Sequence, residues 1–238
     1  MKIYVGPATR LQGKVRVPPS KNYTSRYIWV SALTEGESVV VNPATNDDAQ
    51  ALLACCRRLG AAIRQEGEKL RIKGFGGRPS SPGVLDPGNG GLILRLLLPV
   101  GLLLPEVKYT TSYPASLGKR PQGDLLTVLR QLGAEVEDVD GHLPITVRGG
   151  RPLRQRTVTV SGRVSSQFAT ALLFIAPLLG GLTVTIDGGL VSRPPLATTL
   201  AVMAEAGITP EADWTRLVFA VPADRKSTRL NSSHLGIS

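Results

Sequence analysis

Three short runs of small polar residues each stand directly ahead of a strongly apolar stretch: Ser20-Lys21-Asn22, Asn89-Gly90-Gly91 and Ser165-Ser166-Gln167. If each run opens a helix, its unpaired backbone N–H groups and the positive end of the helix dipole favour an anion, by about 0.3–1 kcal/mol at an exposed terminus. Lys21, Arg26, Arg120 and Arg193 lie near these turns or the loops beside them. Charge-assisted hydrogen bonds from such side chains contribute about 1.5–3 kcal/mol each, so the cations outweigh the dipoles. Taken singly, a serine or asparagine before a helix reads as an N-cap, and Gly90-Gly91 reads as a turn. Their recurrence at equivalent places points instead to a cradle for phosphate or carboxylate groups. Cys55 and Cys56 fall in an amphipathic stretch and read as core residues, and His142 reads as an exposed turn residue. The sequence carries no metal-ligand cluster, no phosphate-binding Gly-x-x-x-x-Gly-Lys loop and no dinucleotide fingerprint.

The elements that must position these residues follow from an internal repeat. Leu59-Gly60-Ala61, Leu132-Gly133-Ala134 and Ala206-Gly207-Ile208 each close an amphipathic segment, and the glycines are 73 and 74 residues apart. A glycine there ends a helix because it adopts the left-handed conformation without steric penalty. Strand pairs follow over Ala61–Ile72, Ala134–Val147 and Ile208–Val221. Before each amphipathic helix lies a β-type run, Glu37–Val41, Val107–Ser112 or Leu182–Ile186. Before that comes a helix apolar on nearly every side, Tyr27–Leu33, Leu92–Leu104 or Phe168–Leu179, which must be buried all round. Each unit therefore reads strand, buried helix, strand, amphipathic helix, strand, strand. The predicted fold is mixed α/β, with three such units over about 14–74, 84–150 and 156–222 forming one domain whose sheets face outward.

Composition bounds the function classes. The 238 residues are 42% hydrophobic and 19% charged, as in an ordinary globular protein. The apolar runs Leu96–Leu104 and Phe168–Leu179 are much shorter than the roughly 20 residues of a membrane span, and each holds a proline. The N-terminus lacks the apolar core of a secretory signal, and two adjacent cysteines make no disulfide framework, so a reducing cytoplasm is expected. The formal charge of +10 suits an anionic ligand. Residues 225–238, Arg225 to Ser238, have neither helical nor strand periodicity, supply three of the basic residues, and read as translated adaptor or vector sequence.

Five stretches carry a resemblance: Pro19-Ser20-Lys21-Asn22 through Arg26, Gly88-Asn89-Gly90-Gly91, Lys119-Arg120-Pro121, Val164-Ser165-Ser166-Gln167-Phe168 and Val191-Ser192-Arg193-Pro194. In that order they resemble the 3-phosphoshikimate 1-carboxyvinyltransferase family, also called EPSP synthase. The resemblance implies an inside-out α/β barrel, in which parallel helices are buried beneath outward sheets. It also implies a chain about twice as long, with two such domains closing over shikimate 3-phosphate and phosphoenolpyruvate. This chain corresponds to domain one, residues 14–222, and residues 1–13 would supply a strand to the second domain. By similarity, Lys21, Asn22, Arg26, Ser165, Ser166, Gln167 and Ser192 bind shikimate 3-phosphate. Phosphoenolpyruvate falls to Lys21, Asn89, Gly91, Arg120 and Gln167. The implied reaction moves a carboxyvinyl group to the ring 5-hydroxyl and releases phosphate, a step toward aromatic amino acids. It needs no metal or organic cofactor, its partners are small molecules rather than nucleic acid or membrane, and the full-length enzyme is a monomer. The proton-transfer carboxylate is expected in the second domain, so no catalytic residue is assigned here.

The match has four departures. Asn22 stands where many members have serine, Gly90 where serine or alanine is usual, Leu92 where threonine is common, and Pro195 where an aromatic often follows. Asn22 can still donate a hydrogen bond, whereas Leu92 cannot. Lys21-Asn22 also resembles the enolpyruvyl transferase acting on UDP-N-acetylglucosamine, but the loop from Tyr113 to Arg120 lacks the reactive cysteine usual there. An RNA-binding or RNA-end-processing protein is the alternative of another class. An aromatic content of 5%, without a basic stripe interleaved with aromatics, argues against it.

Overall fold

The computed structural model describes residues 17–222 without a break, together with positions 4, 6, 10 and 12–14 and the backbone of 235–236. The expected N-terminal strand over 1–13 and nearly all of the tail over 225–238 lie outside the described residues. In the first unit, α1 (Lys21–Ala32) is followed by β1 (Glu37–Val41), α2 (Asp47–Arg58), β2 (Ala62–Glu66) and β3 (Lys69–Lys73). The second runs β4 (Val84–Leu85), α3 (Gly91–Leu97), β5 (Val107–Tyr109), α4 (Gly123–Leu132), β6 (Glu135–Val139) and β7 (His142–Arg148). The third runs β8 (Thr157–Ser161), α5 (Gln167–Ile175), β9 (Leu182–Asp187), α6 (Arg193–Glu205), β10 (Glu211–Asp213) and β11 (Val218–Val221). A two-residue strand β12 (Leu235–Gly236) ends the described chain.

Local chemistry accounts for the boundaries. The Asn46 side chain caps α2 by accepting from the Ala49 N–H at 3.0 Å. Asp47 and Asp48 in its first turn and Arg57 and Arg58 in its last complement the helix dipole. The glycines expected to close the amphipathic helices all have positive φ: 104° at Gly60, 112° at Gly133 and 82° at Gly207. The buried helix of the second unit is not one helix. It leaves α geometry after Leu97 and continues as a 3₁₀ segment, Leu98–Leu103, because Pro99 lacks an N–H and crowds the carbonyl one turn back. The buried Tyr109 hydroxyl meets the backbone at this junction, donating to Leu97 O at 2.9 Å and lying 3.3 Å from Leu98 O.

Each unit builds one sheet, four-stranded in every case, with orders β12-β1-β3-β2, β4-β5-β7-β6 and β8-β9-β11-β10, β12 being added to the first from the tail. In every sheet the first pair is parallel and the others antiparallel. The repeat therefore extends to strand pairing. In the second and third units the parallel edge position is held by the strand ahead of the buried helix. In the first it is held by β12, from the tail in which no strand was expected. Among the described residues the three sheets share no strand pairs, so they stand as separate sheets rather than a closed barrel.

The core lies between the sheets and the apolar helices. Ile28, Trp29, Leu94, Leu96, Leu172 and Leu173 are fully buried, as expected for helices apolar all round. Helix α3 packs on α5, α5 on α6, and α6 on α1, so the three units form one continuous core. No helix among the described residues is long and apolar enough to cross a membrane.

Candidate functional site

The first turns of the three apolar helices open onto one cavity of about 670 Å³. Lys21, Asn22 and Ser25 line it from α1, Gly91, Leu92 and Arg95 from α3, and Gln167 from α5. The loops before α3 and α4 add Gly88, Asn89, Tyr113 and Arg120, while Asp47, Asp48, Gln50 and Ala51 close it from α2. Lys21, Gly91 and Gln167, up to 146 positions apart, thus meet because each opens the apolar helix of its repeat. Of the residues singled out from the sequence, Lys21, Asn22, Asn89, Gly91, Arg120 and Gln167 line this one cavity.

Lys21 is exposed, and its ammonium donates to Asp48 Oδ2 at 3.1 Å. Arg120 follows a single 3₁₀ turn, Leu117–Lys119, and reaches back over Gly91. A Cβ on Gly91 would lie 2.7 Å from Arg120 Nη1, so the glycine makes room for the guanidinium. A Cβ on Gly90 would lie 2.6 Å from Ile93 Cγ1 and 3.2 Å from Asp48 Oδ1, so a larger residue there would require these side chains to shift. Leu92 places an apolar surface in the cavity wall.

The other predicted site residues are arranged differently. Arg26 is 1% exposed and does not line the cavity. Its guanidinium donates to Thr199 Oγ1 at 2.9 Å and to the carbonyls of Asn22 and Pro195 at 3.0 Å each. It therefore ties α1 to α6, and burial lowers its pKa to about 10. Arg193 is exposed, with its guanidinium stacked 4.3 Å above the Trp214 ring, away from the cavity. Ser192 and Ser166 are the N-cap residues of α6 and α5. Ser166 is buried, Ser192 is half-buried, and neither lines the cavity. Ser165 joins the site through Arg95, which donates to its Oγ at 3.0 Å.

Arg95 was missed by sequence reasoning. It donates to Gln122 Oε1 at 3.1 Å, Ser165 Oγ at 3.0 Å and Gln167 Oε1 at 2.8 Å, and its guanidinium carbon sits 4.9 Å from the Phe168 ring centre. Burial, then the nearby Arg120 charge, lowers its pKa to about 10, so the group remains a cation at neutral pH. The signal was present, since Arg95 is the single charge within the apolar run Leu92–Leu104. Asp48 and Tyr113 were missed as well, each resembling an ordinary helix-start or loop residue.

Cys55 and Cys56 are buried in α2, far from nucleophilic use. Burial pushes the Cys55 thiol up to about 12 and raises the Cys56 thiol likewise. His142 is half-buried at the start of β7, with Nδ1 2.7 Å from Asp140 O just after the β6–β7 turn. No group of three or more His, Cys, Asp or Glu side chains suited to a metal occurs among the described residues.

Three lines of comparison bear on the family. A 3-phosphoshikimate 1-carboxyvinyltransferase from Deinococcus radiodurans is 45% identical over 225 residues, covering 94% of this chain and 51% of that protein. One from Methanococcoides burtonii is 37% identical over 231 residues, covering 95% and 53%. The chain thus spans about half the length of the curated relatives it matches. Among solved structures, EPSP synthase from Acinetobacter baumannii superposes with a TM-score of 0.79 at 24% identity, over 94% of this chain and 50% of that one. The enolpyruvyl transferase NikO from Streptomyces tendae does so with a TM-score of 0.65 at 18% identity, over 96% and 52%. Both share the fold. The sequence profile described as EPSP synthase (3-phosphoshikimate 1-carboxyvinyltransferase) matches residues 5–232, and with three repeats converging on one cationic cavity, this chain belongs to that family.

Proposed function

We propose that this chain is the substrate-cradling half of an enolpyruvyl transferase acting on shikimate 3-phosphate and phosphoenolpyruvate in the cytoplasm. The observation that carries the reading is the convergence of Lys21, Arg95 and Arg120 with three helix starts on one cavity. Ser165 and Gln167 hold the ring phosphate and Asn22 the ring. Ser166 and Ser192 start α5 and α6, and Arg26, bonded to Thr199, Asn22 and Pro195, fixes α1 against α6 beneath them. Lys21 reaches both substrates. Arg120, Gly91 and Asn89 receive the carboxylate and phosphate of phosphoenolpyruvate. The ring 5-hydroxyl adds across the enol double bond to form a tetrahedral intermediate, and phosphate then leaves. Fixed cations stabilise the charge that shifts along this path, and preorganisation spares the reorganisation that water would need. The groups that move protons belong to an opposing domain.

Calorimetric titration of the purified chain with shikimate 3-phosphate tests this reading. Wild type is expected to bind, and Lys21→Ala and Gln167→Ala to lose about tenfold or more each, as for a removed hydrogen bond to a charged group. Unchanged affinity in both variants overturns the cradle. Product formation by the chain alone overturns the assignment of proton transfer to another domain.

A further inference from the structure

The bonds around Arg95 have a directional consequence. Serine and glutamine side chains can both donate and accept, so their presence in a site does not by itself select an anion. Here Ser165 Oγ accepts twice, from Arg95 Nη1 at 3.0 Å and from the Gln167 backbone N–H at 3.2 Å. Both oxygen lone pairs are used, and the hydroxyl proton is what remains for a ligand. Gln167 Oε1 accepts from the same Arg95 Nη1 at 2.8 Å, which leaves the Nε2 hydrogens as the free end of a side chain that lines the cavity. Among the described residues no protein acceptor takes those hydrogens. On its other side, Arg95 Nε donates to Gln122 Oε1 at 3.1 Å, and Gln122 Nε2 donates to the Arg120 carbonyl at 3.0 Å. Gln122 is fully buried. One guanidinium thus connects the start of α5 to the backbone of the loop cation. No carboxylate among the described residues pairs with Arg95, so none of them neutralises its charge.

We propose that Arg95 is a positioning residue that converts Ser165 and Gln167 into pure hydrogen-bond donors and holds Arg120 in register with them, so that the cavity selects a phosphorylated over an unphosphorylated ligand. This rests on the reading of Ser165 and Gln167 as ring-phosphate ligands. Arg95 acts through its neighbours. A lysine would keep the charge but cannot reproduce the planar fork that reaches three acceptors at once.

The test is calorimetric titration of the whole chain with shikimate 3-phosphate, shikimate and inorganic phosphate, in wild type, Arg95→Lys, Ser165→Ala and the double variant. Wild type is expected to prefer shikimate 3-phosphate to shikimate, and Arg95→Lys to lose about tenfold in that preference while its shikimate affinity stays level. A merely structural role lowers both affinities together. Because Arg95 acts through Ser165, Ser165→Ala is expected to do little further harm in the Arg95→Lys background. Full additivity, or a wild-type preference in Arg95→Lys, overturns the proposal. If wild type binds inorganic phosphate in an Arg95-dependent way yet does not prefer shikimate 3-phosphate, the positioning role stands and the ring-phosphate reading falls. If wild type prefers shikimate 3-phosphate and Arg95→Lys matches it, the reverse holds. Binding of neither phosphate ligand by wild type overturns both. Nuclear magnetic resonance of the wild-type chain gives a readout that no unfolded variant can confuse. Added inorganic phosphate is expected to shift the Gln167 side-chain amide, whereas a response confined to the Arg95 guanidinium makes it a direct ligand and overturns the positioning role.

Discussion

Gly91 leaves the space above it to the Arg120 guanidinium, and the two residues work as a unit. In Gly91→Ala the new methyl meets Nη1 at 2.7 Å, but that atom ends a flexible side chain and can move away. The fold is therefore expected to tolerate the change while Arg120 leaves its place in the cavity. Affinity for phosphoenolpyruvate should fall about tenfold, the scale of one charge-assisted hydrogen bond, with little change in melting temperature. Gly74→Ala is the contrasting control. Its Cβ would collide with the carbonyl oxygens of Thr34, Ser31 and Ala32, which are backbone and cannot swing aside. Titration and thermal melting of both variants check the pair, and a large loss of stability in Gly91→Ala contradicts the account.

Helix α2 carries Asp48 to Lys21, so its N-terminal turn bears on the site as well as on the fold. The Asn46 cap fixes that turn by satisfying the Ala49 N–H. Asn46→Ala is expected to destabilise the chain by about 1 kcal/mol, read from the urea midpoint, because one buried donor loses its partner. The second buried helix illustrates a different element-scale constraint. Its 3₁₀ half includes Gly101, where a Cβ would lie 2.5 Å from Val147 Cγ1, so β7 approaches the backbone too closely for a side chain. Proline sets where the helix changes type, and glycine lets the sheet lie against it.

Across the whole molecule, the repeat is written on the outside as well as in the core. Arg71 bridges Glu37 and Glu66 in the first sheet, and Arg148 bridges Glu106 and Glu137 in the second. These pairs are exposed and contribute little individually. The buried interior holds a stronger pH dependence. Burial is the leading cause that raises the pKa of Cys55, Cys56, Tyr27 and Tyr109, so the folded chain disfavours their ionised forms. An unfolded thiol ionises near 9.0, whereas Cys55 resists to about 12. Below pH 9.0 both states keep that proton, and its contribution is fully present. As pH rises from 9.0 toward about 12, the unfolded chain binds fewer protons than the folded one, and stability falls. The urea midpoint is expected to decline through that window, more shallowly in the Cys55→Ala, Cys56→Ala double variant. A slope equal to that of wild type removes the thiols from the account.

The architecture was largely legible in the residues because it depends on local rules. Gly60, Gly133 and Gly207 mark helix ends through backbone conformation, and apolar residues on every side of a helix require burial wherever that helix goes. The β1 boundaries were readable from Glu37–Val41 alone, since a β-branched run with turns at both ends has few alternatives. The site was legible only where its residues sit on the repeated helix starts. What long side chains do there depends on partners remote in the chain. Arg26 turns inward because Thr199, 173 positions away, offers an acceptor, and Arg193 settles on Trp214 rather than in the cavity. Arg95 went unnoticed in the sequence because Gln122, Ser165 and Gln167, the acceptors that give it a role, are brought to it only by folding. Local periodicity determined which elements form and that their starts are polar. Only the packing of one unit against the next decided which cations share a cavity, because a flexible charged side chain takes its position from the acceptors that folding delivers.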